Sequence, residues 1–355
     1  MHVNEGTRNT MLKVIALTGA AITAAAVVST HPATAARPEP HLFYPHVDHS
    51  LTLCGTHDHT PVGPADDSVQ VRNTYWKGTG PTCIRTPFDG DAGFTVTRTP
   101  RPTYPRQLVT TYPSIFRGCI WGMCTKNTPL PARADHLRTV TSTWSTISTH
   151  RVTNTVRRRV TRTTSCLPGS RRTVTVRHRH RRMVNGRVVI TYTHTTTTTC
   201  LVREVRNVPL RGTFNTSYDL WFGKHSMTQG HADGAELMVW LNHRGGCCIL
   251  RRHAPIVRIN GVRYYFQYWH PSDPTFPGVS WNYIQFRRVI QTSHVTNLNL
   301  KPFIQYAEQA HRSQGQPTAL ISRRWWLENL DGGFEIWNGG VGLRTTSFAA
   351  HITTD

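Results

Sequence analysis

Short segments in which apolar and polar residues alternate recur along most of this chain of 355 residues, and Gly, Pro and Asn separate them. Successive side chains of a β-strand point to opposite faces, so this alternation predicts strands with one buried and one exposed face. Val, Thr, Tyr and Trp, which favour strands, are abundant in these segments. The pattern therefore predicts an all-β protein built as a two-sheet sandwich.

One segment has the periodicity of a helix instead. In residues 300–311, Phe303, Tyr306 and Ala310 recur at intervals of three or four, and Pro302 is placed where a first helical turn accepts proline. The sequence predicts one helix that packs on a sheet.

The predicted strand at residues 234–241 carries a glutamate on its polar face. By alternation, Glu236, Met238 and Trp240 share one face, while the residues between them are apolar and form the other. A carboxylate therefore lies beside large, flat side chains.

A second predicted strand, residues 333–340, repeats this design with Glu335 and Trp337. Sugar rings have apolar CH faces that stack on aromatic rings, and a pair of carboxylates commonly cleaves glycosidic bonds. The two strands together indicate a polysaccharide-cleaving groove. The alternative interpretation is two solvated glutamates on ordinary half-buried strands.

Positive charge is concentrated in one part of the chain. The formal net charge is +22, and residues 151–206, which we call the arginine arm, contain fourteen arginines and a single acid, Glu204. Asn185-Gly186 suits a two-residue hairpin turn, and residues 167–170 offer a second turn. We expect a three-strand meander.

The three predicted strands of the arginine arm cover residues 150–166, 171–184 and 187–200. Because arginine favours phosphate and carboxylate, an acidic polysaccharide, a nucleic acid or an anionic cell surface is a candidate partner of the arm. The arm lacks the aromatic residues needed for base stacking, which disfavours nucleic acid. The alternative is a solvated arm whose charge prevents edge-to-edge aggregation.

Eight cysteines, an even number, favour structural disulfides. Cys166 and Cys200 both lie at the open end of the arginine arm, so a bond between them is expected. The spacing of Cys119 and Cys124 does not resemble a zinc knuckle. An N-terminal group of histidines and aspartates, including His57 and His59, is interpreted as solvated loop residues. We expect neither a metal nor a cofactor.

The first 36 residues resemble an export signal. Basic residues precede an apolar run at residues 14–28, and Ala33-Thr34-Ala35 offers a cleavage site. The run is too short to span a bilayer, so we expect a secreted protein with no membrane anchor. The predicted organisation is a signal peptide (1–36), a linker (37–50) and one domain (51–355) interrupted by the arginine arm.

With these residues in view, the chain resembles glycoside hydrolase family 12, the endo-β-1,4-glucanases, over about residues 51–150 and 207–355. The motifs that carry the resemblance are Arg72-Asn73-Thr74-Tyr75-Trp76-Lys77-Gly78, Tyr112-Pro113-Ser114-Ile115-Phe116-Arg117-Gly118-Cys119-Ile120-Trp121-Gly122-Met123-Cys124, Asn215-Thr216-Ser217-Tyr218-Asp219-Leu220-Trp221-Phe222, the Glu236 strand, and Glu335-Ile336-Trp337-Asn338-Gly339-Gly340-Val341-Gly342-Leu343 with Ser347-Phe348.

The resemblance implies a two-sheet jelly roll bent around a long open cleft, with one helix on its convex side. It also implies that Glu236 is the nucleophile, that Glu335 is the acid/base, and that Asp219 is hydrogen-bonded to the nucleophile.

Other expected roles concern substrate binding and disulfides. Trp76 matches a tryptophan that stacks on sugars, and Cys54–Cys83 and Cys119–Cys124 match two disulfides of bacterial members. The further predicted substrate-binding residues are Trp121, Met238, Trp240 and Trp337.

The chain departs from the family pattern in the arginine arm and in residues 246–252, where Cys247 and Cys248 replace a Pro-Gly loop. The state of these two cysteines and the preferred glucan stay open. We predict a monomeric, secreted, retaining endoglucanase that acts on cellulose or mixed-linkage β-glucan. The alternatives are a xyloglucan-specific endoglucanase and a catalytically silent, lectin-like polysaccharide binder. The presence of three matching acids favours an enzyme.

Overall fold

Two β-sheets pack face to face in the computed structural model, which describes residues 50–63, 69–75, 80–87, 91–100, 109–230, 232–245, 250–251, 253–271, 280–313 and 319–355. Within these residues the strands, in chain order, are β1 (Thr52–Leu53), β2 (His59–Val62), β3 (Val69–Arg72), β4 (Cys83–Arg85), β5 (Phe94–Arg98), β6 (Ser114–Ile120), β7 (Met123–Cys124), β8 (Ala132–Arg133), β9 (Leu137–Ile147), β10 (Thr149–Arg159), β11 (Arg172–Val184), β12 (Arg187–Pro209), β13 (Gly212–Gly223), β14 (Ala235–Arg244), β15 (Ile256–Ile259), β16 (Val262–Trp269), β17 (Asn282–Arg288), β18 (His294–Asn299), β19 (Trp326–Gly333), β20 (Ile336–Gly339) and β21 (Arg344–Thr354).

The smaller sheet has the strand order β1-β4-β5-β21-β9-β18. The larger sheet has the order β15-β16-β17-β14-β13-β19-β6-β3-β2, with β20, β7 and β8 paired beside this path. Most neighbouring strands are antiparallel, but β14 and β17 run parallel. The arrangement is a jelly-roll sandwich, which confirms the predicted fold class.

Aromatic side chains from both sheets meet in the core. Trp144 of β9 lies 5.0 Å from Tyr218 of β13, measured between ring centroids, and Phe94 of β5 lies 5.7 Å from Phe334. The Tyr218 hydroxyl donates a hydrogen bond to Ser142 Oγ at 3.0 Å, so its polar end is satisfied inside the core.

The helix α1 (Lys301–Ser313) covers part of the larger sheet. Phe303 packs edge-on against Tyr264 and Phe286, at 5.1 Å from each ring. Asn299 Oδ1 accepts a hydrogen bond from the Lys301 backbone N–H, which satisfies one amide at the start of the helix. The helix corresponds to the predicted one, shifted by one residue at its start and two at its end.

The arginine arm forms a separate three-stranded sheet, but not the predicted meander. β12, rather than β11, pairs with both other strands: its first half pairs with β11 and its second half with β10. The reason is length, because β12 continues to Pro209 instead of ending near residue 200. The predicted turn is present, with Asn185 and Gly186 at φ 48° and 73°.

Three disulfides are present: Cys54–Cys83, Cys119–Cys124 and Cys166–Cys200. They are the same three pairs that the sequence analysis considered. Cys247, Cys248 and the predicted export signal lie outside the described residues. Among the residues that are described, no helix is long and apolar enough to cross a membrane.

Replacing Phe303 by Ala should lower the free energy of unfolding by about 3–5 kcal/mol, because a fully buried ring is lost from the contact between α1 and the sheet. Chemical denaturation measures this change. The matched control is Gln305→Ala, an exposed position on the same helix, which should change stability by less than about 0.5 kcal/mol. Equal effects of the two substitutions would contradict the packing described here.

Candidate active site

Glu236 lies on β14, on the face of the larger sheet that points away from the sandwich core. The alternate residues Leu237 and Val239 belong to the core. Glu236, Met238 and Trp240 therefore share the opposite face, as alternation predicts. We call this side of the sheet the acidic face. Glu236 is nevertheless buried there, with 7% of its surface exposed.

Aromatic residues surround the Glu236 carboxylate. Trp221 on β13 and Tyr283 on β17 are its cross-strand neighbours. Trp281 Nε1 donates a hydrogen bond to Glu236 Oε2 at 2.7 Å. This indole group is a donor only, so it stabilises the ionised carboxylate.

Glu335 does not lie in a strand, in contrast to the sequence prediction. β19 ends at Gly333 and β20 begins at Ile336, so Glu335 falls in the break between them. The physical reason is that both strands pair with β13, and the pairing is interrupted opposite Asn215.

Asn215 holds Glu335 in this break through both backbone and side chain. The Asn215 N–H donates to the Glu335 carbonyl at 3.0 Å, and Asn215 Oδ1 accepts from the Glu335 N–H at 3.1 Å. Asn215 Nδ2 donates to Glu335 Oε2. The Ser217 hydroxyl donates to Asn215 Oδ1 at 3.1 Å, which fixes the orientation of the amide. Backbone and carboxylate of Glu335 are therefore positioned by one residue.

Asp219 occupies the centre of the acidic face. On β13 it lies directly opposite Met238 of β14 and Asp331 of β19. Trp221 Nε1 donates to Asp219 Oδ2 at 3.0 Å. Asp219 Oδ1 is buried and has no hydrogen-bond partner within the described part of the chain. This oxygen is available to carry a proton toward a neighbouring carboxylate.

A buried ion pair adjoins these acids. Arg72 of β3 contacts Asp331 of β19 at 2.7 Å, and both side chains are almost completely buried. Asn329 Nδ2 donates to the second Asp331 oxygen at 2.8 Å. The Arg72 guanidinium also lies 4.8 Å from the Trp121 ring centroid.

Burial raises the pKa of the four acids Asp219, Glu236, Asp331 and Glu335, and repulsion by neighbouring carboxylates raises the pKa of Asp219 and Glu236 further. Burial raises the pKa of both Glu236 and Glu335, and the Glu335 charge raises that of Glu236 further. Burial and the Glu236 charge raise the pKa of Asp219 well above its usual value. Burial raises the pKa of Asp331 to about 6 even though Arg72 opposes the shift. The face therefore retains protons at neutral pH.

The charges of Glu236 and Glu335 raise the pKa of Asp219, and the Glu335 charge raises that of Glu236, so the three carboxyl groups lie within electrostatic range of one another. When two neighbouring carboxyl groups interact strongly, their protons are shared by the pair rather than owned by one residue. The structure thus brings together the three predicted catalytic residues.

Two aromatic clusters lie on the acidic face. One contains Met238, Trp240 and Trp337 with Trp269 and Tyr283. The Tyr283 hydroxyl lies 2.9 Å from Met238 Sδ. Met238 and Trp240 are almost completely buried and Trp337 is 7% exposed, so neighbouring side chains cover most of these predicted substrate-binding surfaces.

Trp121 belongs to the second cluster, with Phe116, Trp221 and Trp281. It is partly exposed and lines a cavity of about 640 Å³. The cavity is also lined by His57, His59, Thr74, Tyr75 and Met123. Trp76, which follows Tyr75 in the chain, lies outside the described residues. Within the described ranges, no group of three His, Cys, Asp or Glu side chains forms a potential metal site.

Comparison with known proteins agrees with this geometry. No family model matches the chain. The probable cellulase Cel12b of Mycobacterium tuberculosis (strain H37Rv) is 25% identical over 146 residues, which cover 41% of this chain and 85% of the relative. The crystal structure of a metagenome-derived glycoside hydrolase family 12 endoglucanase is 25% identical to this chain and has a TM-score of 0.59. The match covers 86% of this chain and 99% of the endoglucanase chain.

Endoglucanase cel12A from Rhodothermus marinus also has 25% identity and a TM-score of 0.59, with 86% of this chain and all of that chain covered. These similarities support the assignment of the chain to glycoside hydrolase family 12. The related proteins are glycoside hydrolases, which confirms the prediction of an enzyme of this class.

The sequence analysis missed several residues of this candidate site. Asn215 stood inside a quoted motif, but no pattern indicated that it would contact Glu335, which lies 120 residues further along the chain in the break between β19 and β20. Arg72 also stood inside a quoted motif, whereas Trp281 and Asp331 lay outside every quoted motif. No local pattern indicated that Arg72 and Asp331 would pair, because they are 259 residues apart in the chain.

Replacing Arg72 by Met should lower the free energy of unfolding by about 3–5 kcal/mol at pH 8, because Asp331 is left buried and uncompensated. The loss should be smaller at pH 5. Without Arg72 the pKa of Asp331 rises further above 6, so at pH 5 this carboxyl is neutral in the folded protein. Denaturant unfolding at the two pH values measures both effects.

The control is the double variant Arg72→Met/Asp331→Asn, which should regain most of the stability lost at pH 8. A double variant as unstable as the single one would show that the buried charge is not the cause.

Proposed function

We propose that this chain is a secreted, endo-acting, retaining hydrolase of β-1,4-glucan. The observation that carries the proposal is the convergence of Glu236, Glu335 and Asp219 on one buried, aromatic-rich face of a family 12 fold. The endoglucanases that resemble this chain support the substrate class. Cellulose and mixed-linkage glucan are the proposed substrates.

The first step is displacement of the leaving sugar. Glu236 attacks the anomeric carbon as an ionised nucleophile, and Glu335 donates its proton to the glycosidic oxygen that leaves. Burial raises the pKa of Glu335 to about 7, so this group can still be protonated near neutral pH. Burial and the Glu335 charge raise the pKa of Glu236 to about 8, so the nucleophile needs hydrogen-bond donors that hold it in the ionised form.

The second step releases the glycosyl-enzyme. Glu335, now ionised, takes a proton from water, and the water oxygen attacks the anomeric carbon from the side that the leaving group vacated. The Glu236 carboxylate is the leaving group of this step, so the enzyme returns to its starting state.

Asp219 is proposed to keep Glu236 ionised. Its pKa is raised, and its Oδ1 is buried without a partner among described residues, so a protonated Asp219 can donate a hydrogen bond to the nucleophile. Such a bond favours the charged form of Glu236. The Trp281 hydrogen bond acts in the same direction.

Sugar binding is proposed at the two aromatic clusters. The partly exposed Trp121 and the cavity beside it form one proposed subsite. Trp76 remains a proposed sugar-stacking residue. Met238, Trp240 and Trp337 remain proposed substrate-binding residues on the other side of Glu236.

Export and domain organisation are also proposals. The three disulfides favour an oxidising compartment, which agrees with an export signal at residues 1–36 and a linker at 37–50. The proposed catalytic domain covers residues 51–355, interrupted by the arginine arm. The arm is slightly longer in the structure than predicted, Thr149–Pro209 instead of 151–206.

Glu236→Gln and Glu335→Gln should each lower kcat on a soluble β-glucan by at least about a thousandfold, with folding preserved. They should differ on an aryl cellobioside with a good leaving group. Glu335→Gln should still release the phenol in a burst, because that departure needs no proton, whereas Glu236→Gln should not. Release of reducing ends and of the phenol measures the two effects.

Full activity of either variant on glucan would refute the assignment. Proton NMR of the first product should show the β-anomer, as retention requires, and an α-anomer would refute the double displacement. A panel of carboxymethylcellulose, mixed-linkage glucan and xyloglucan ranks the substrates.

Asn215→Ala should move the alkaline limb of the kcat/KM profile to higher pH and lower its maximum. The Asn215 amide lowers the pKa of Glu335, so its removal raises that pKa and keeps the acid protonated to higher pH. The control is Asn242→Ala on β14, an amide that contacts Ser148 and not the acids. An alkaline limb that stays in place, or moves to lower pH, would show that Asn215 does not tune Glu335.

A further inference from the structure

The outer part of the arginine arm is a two-stranded hairpin with both faces open to solvent. β11 pairs over its whole length with Arg187–Thr199 of β12, and every residue of β11 is exposed. At about 3.3 Å per residue this hairpin extends about 40 Å. Two strands alone are marginally stable, and the Cys166–Cys200 disulfide closes the hairpin at its base.

Alternation sorts the hairpin side chains into rows. Arg177, Arg179 and Arg181 form one row on β11, spaced by about 6.7 Å, which is twice the rise per strand residue. We call it the arginine row. β11 is an edge strand of the arm, so these guanidinium groups can be approached from the side as well as from above.

The two faces offer hydroxyl and apolar groups beside the charges. The face opposite the arginine row carries threonines at alternate positions of β12, and the apolar residues are divided between both faces. The threonines are Thr191, Thr193, Thr195, Thr197 and Thr199, and the exposed apolar residues are Val174, Val176, Met183, Val184, Val188, Val189, Ile190 and Tyr192.

The arm itself cannot neutralise this charge. Its single acid, Glu204, is paired with Arg158, which leaves thirteen of the fourteen arginines without a carboxylate from the arm. Planar guanidinium groups bind carboxylates through two parallel hydrogen bonds, so the complementary partner is a polyanion.

The arrangement discriminates between kinds of polyanion. A base-stacking platform is missing from the hairpin, because its one aromatic residue, Tyr192, is covered by the Arg177 guanidinium at 3.5 Å. A wholly apolar face, which insertion into a lipid surface requires, is also missing from the hairpin, because valines lie on both faces. A second copy of the hairpin would be repelled by like charge.

A polysaccharide that carries carboxylates matches all three kinds of group. Its carboxylates suit the arginine row, and its hydroxyls suit Thr173 and Thr175, which continue that row on the same face. The CH faces of its sugars suit Met183, Val188 and Ile190, the exposed apolar residues of this face. We propose that the distal hairpin of the arginine arm binds an acidic, uronate-bearing polysaccharide through Arg177, Arg179 and Arg181. The site is separate from the acidic face and acts independently of glucan hydrolysis.

The test compares two triple variants of the full chain that change the net charge equally. One is Arg177→Gln/Arg179→Gln/Arg181→Gln in the arginine row. The other is Arg98→Gln/Arg258→Gln/Arg263→Gln, at three exposed positions of the sandwich. Calorimetric titration with polygalacturonate at about 150 mM salt should give a Kd about tenfold weaker for the first variant and almost unchanged for the second.

The same titration is carried out with polyglutamate, duplex DNA and anionic phospholipid vesicles. The unaltered protein should bind each of them more weakly than it binds polygalacturonate. No binding of polygalacturonate by the unaltered protein, an equal loss in both variants, or equally tight binding of another polyanion would overturn the proposal. The rate of hydrolysis of a neutral soluble β-glucan should be the same for both variants and the unaltered protein, which shows that the variants are folded. Because this rate does not depend on the arginine row, a failure of the binding proposal can be told apart from a failure of the proposed catalytic function.

Discussion

The pairing register between β13 and its neighbours β14 and β19 is the constraint on which the active site depends. Strand side chains alternate, so a slip of one residue would turn Asp219 into the core and Leu220 onto the acidic face. Tyr218 and Leu220 prevent this slip because both are fully buried against the second sheet. The hydrophobic core thus determines which acids meet on the opposite face of the sheet.

The same register concentrates acidic side chains in a buried place beside the guanidinium of Arg72. Asp219, Glu236, Asp331 and Glu335 lie on or beside three adjacent strands, and Arg72 forms an ion pair with Asp331. Carboxylates in such surroundings keep protons that they would lose in water. A site that must both donate and accept a proton near neutral pH benefits from this arrangement, and the protein accepts reduced stability there in return.

Local patterns along single segments were sufficient to predict several features: alternation predicted the sandwich and the face shared by Glu236, Met238 and Trp240, helical spacing predicted the helix, and the Asn185-Gly186 pair predicted the turn. These features depend on residues close together in the chain. The break at Glu335, the Asn215 contacts and the Arg72–Asp331 ion pair depend on partners 120 to 259 residues away, which no local period reveals. The burial of Trp240 was missed for the same reason, since aromatic neighbours from other strands cover it. The central position of β12 in the arm was also missed. The sequence predicted that this strand ends near residue 200, but it continues to Pro209 and therefore pairs with β10 as well as β11.

The junction between the arm and the sandwich is very short. Only Leu210 and Arg211 separate β12 from β13, and Ser148 alone separates β9 from β10. Leu210 is buried and donates its N–H to the Ser148 carbonyl at 2.9 Å. Extra residues at this junction would displace the strand that carries Asn215 and Asp219. At the other end of the arm, the space around Gly186 is open, because an added Cβ would meet no other atom within 4 Å. Gly186 itself has a positive φ of 73° that favours glycine, so foreign peptides or fluorescent labels are best inserted beside it with the glycine kept.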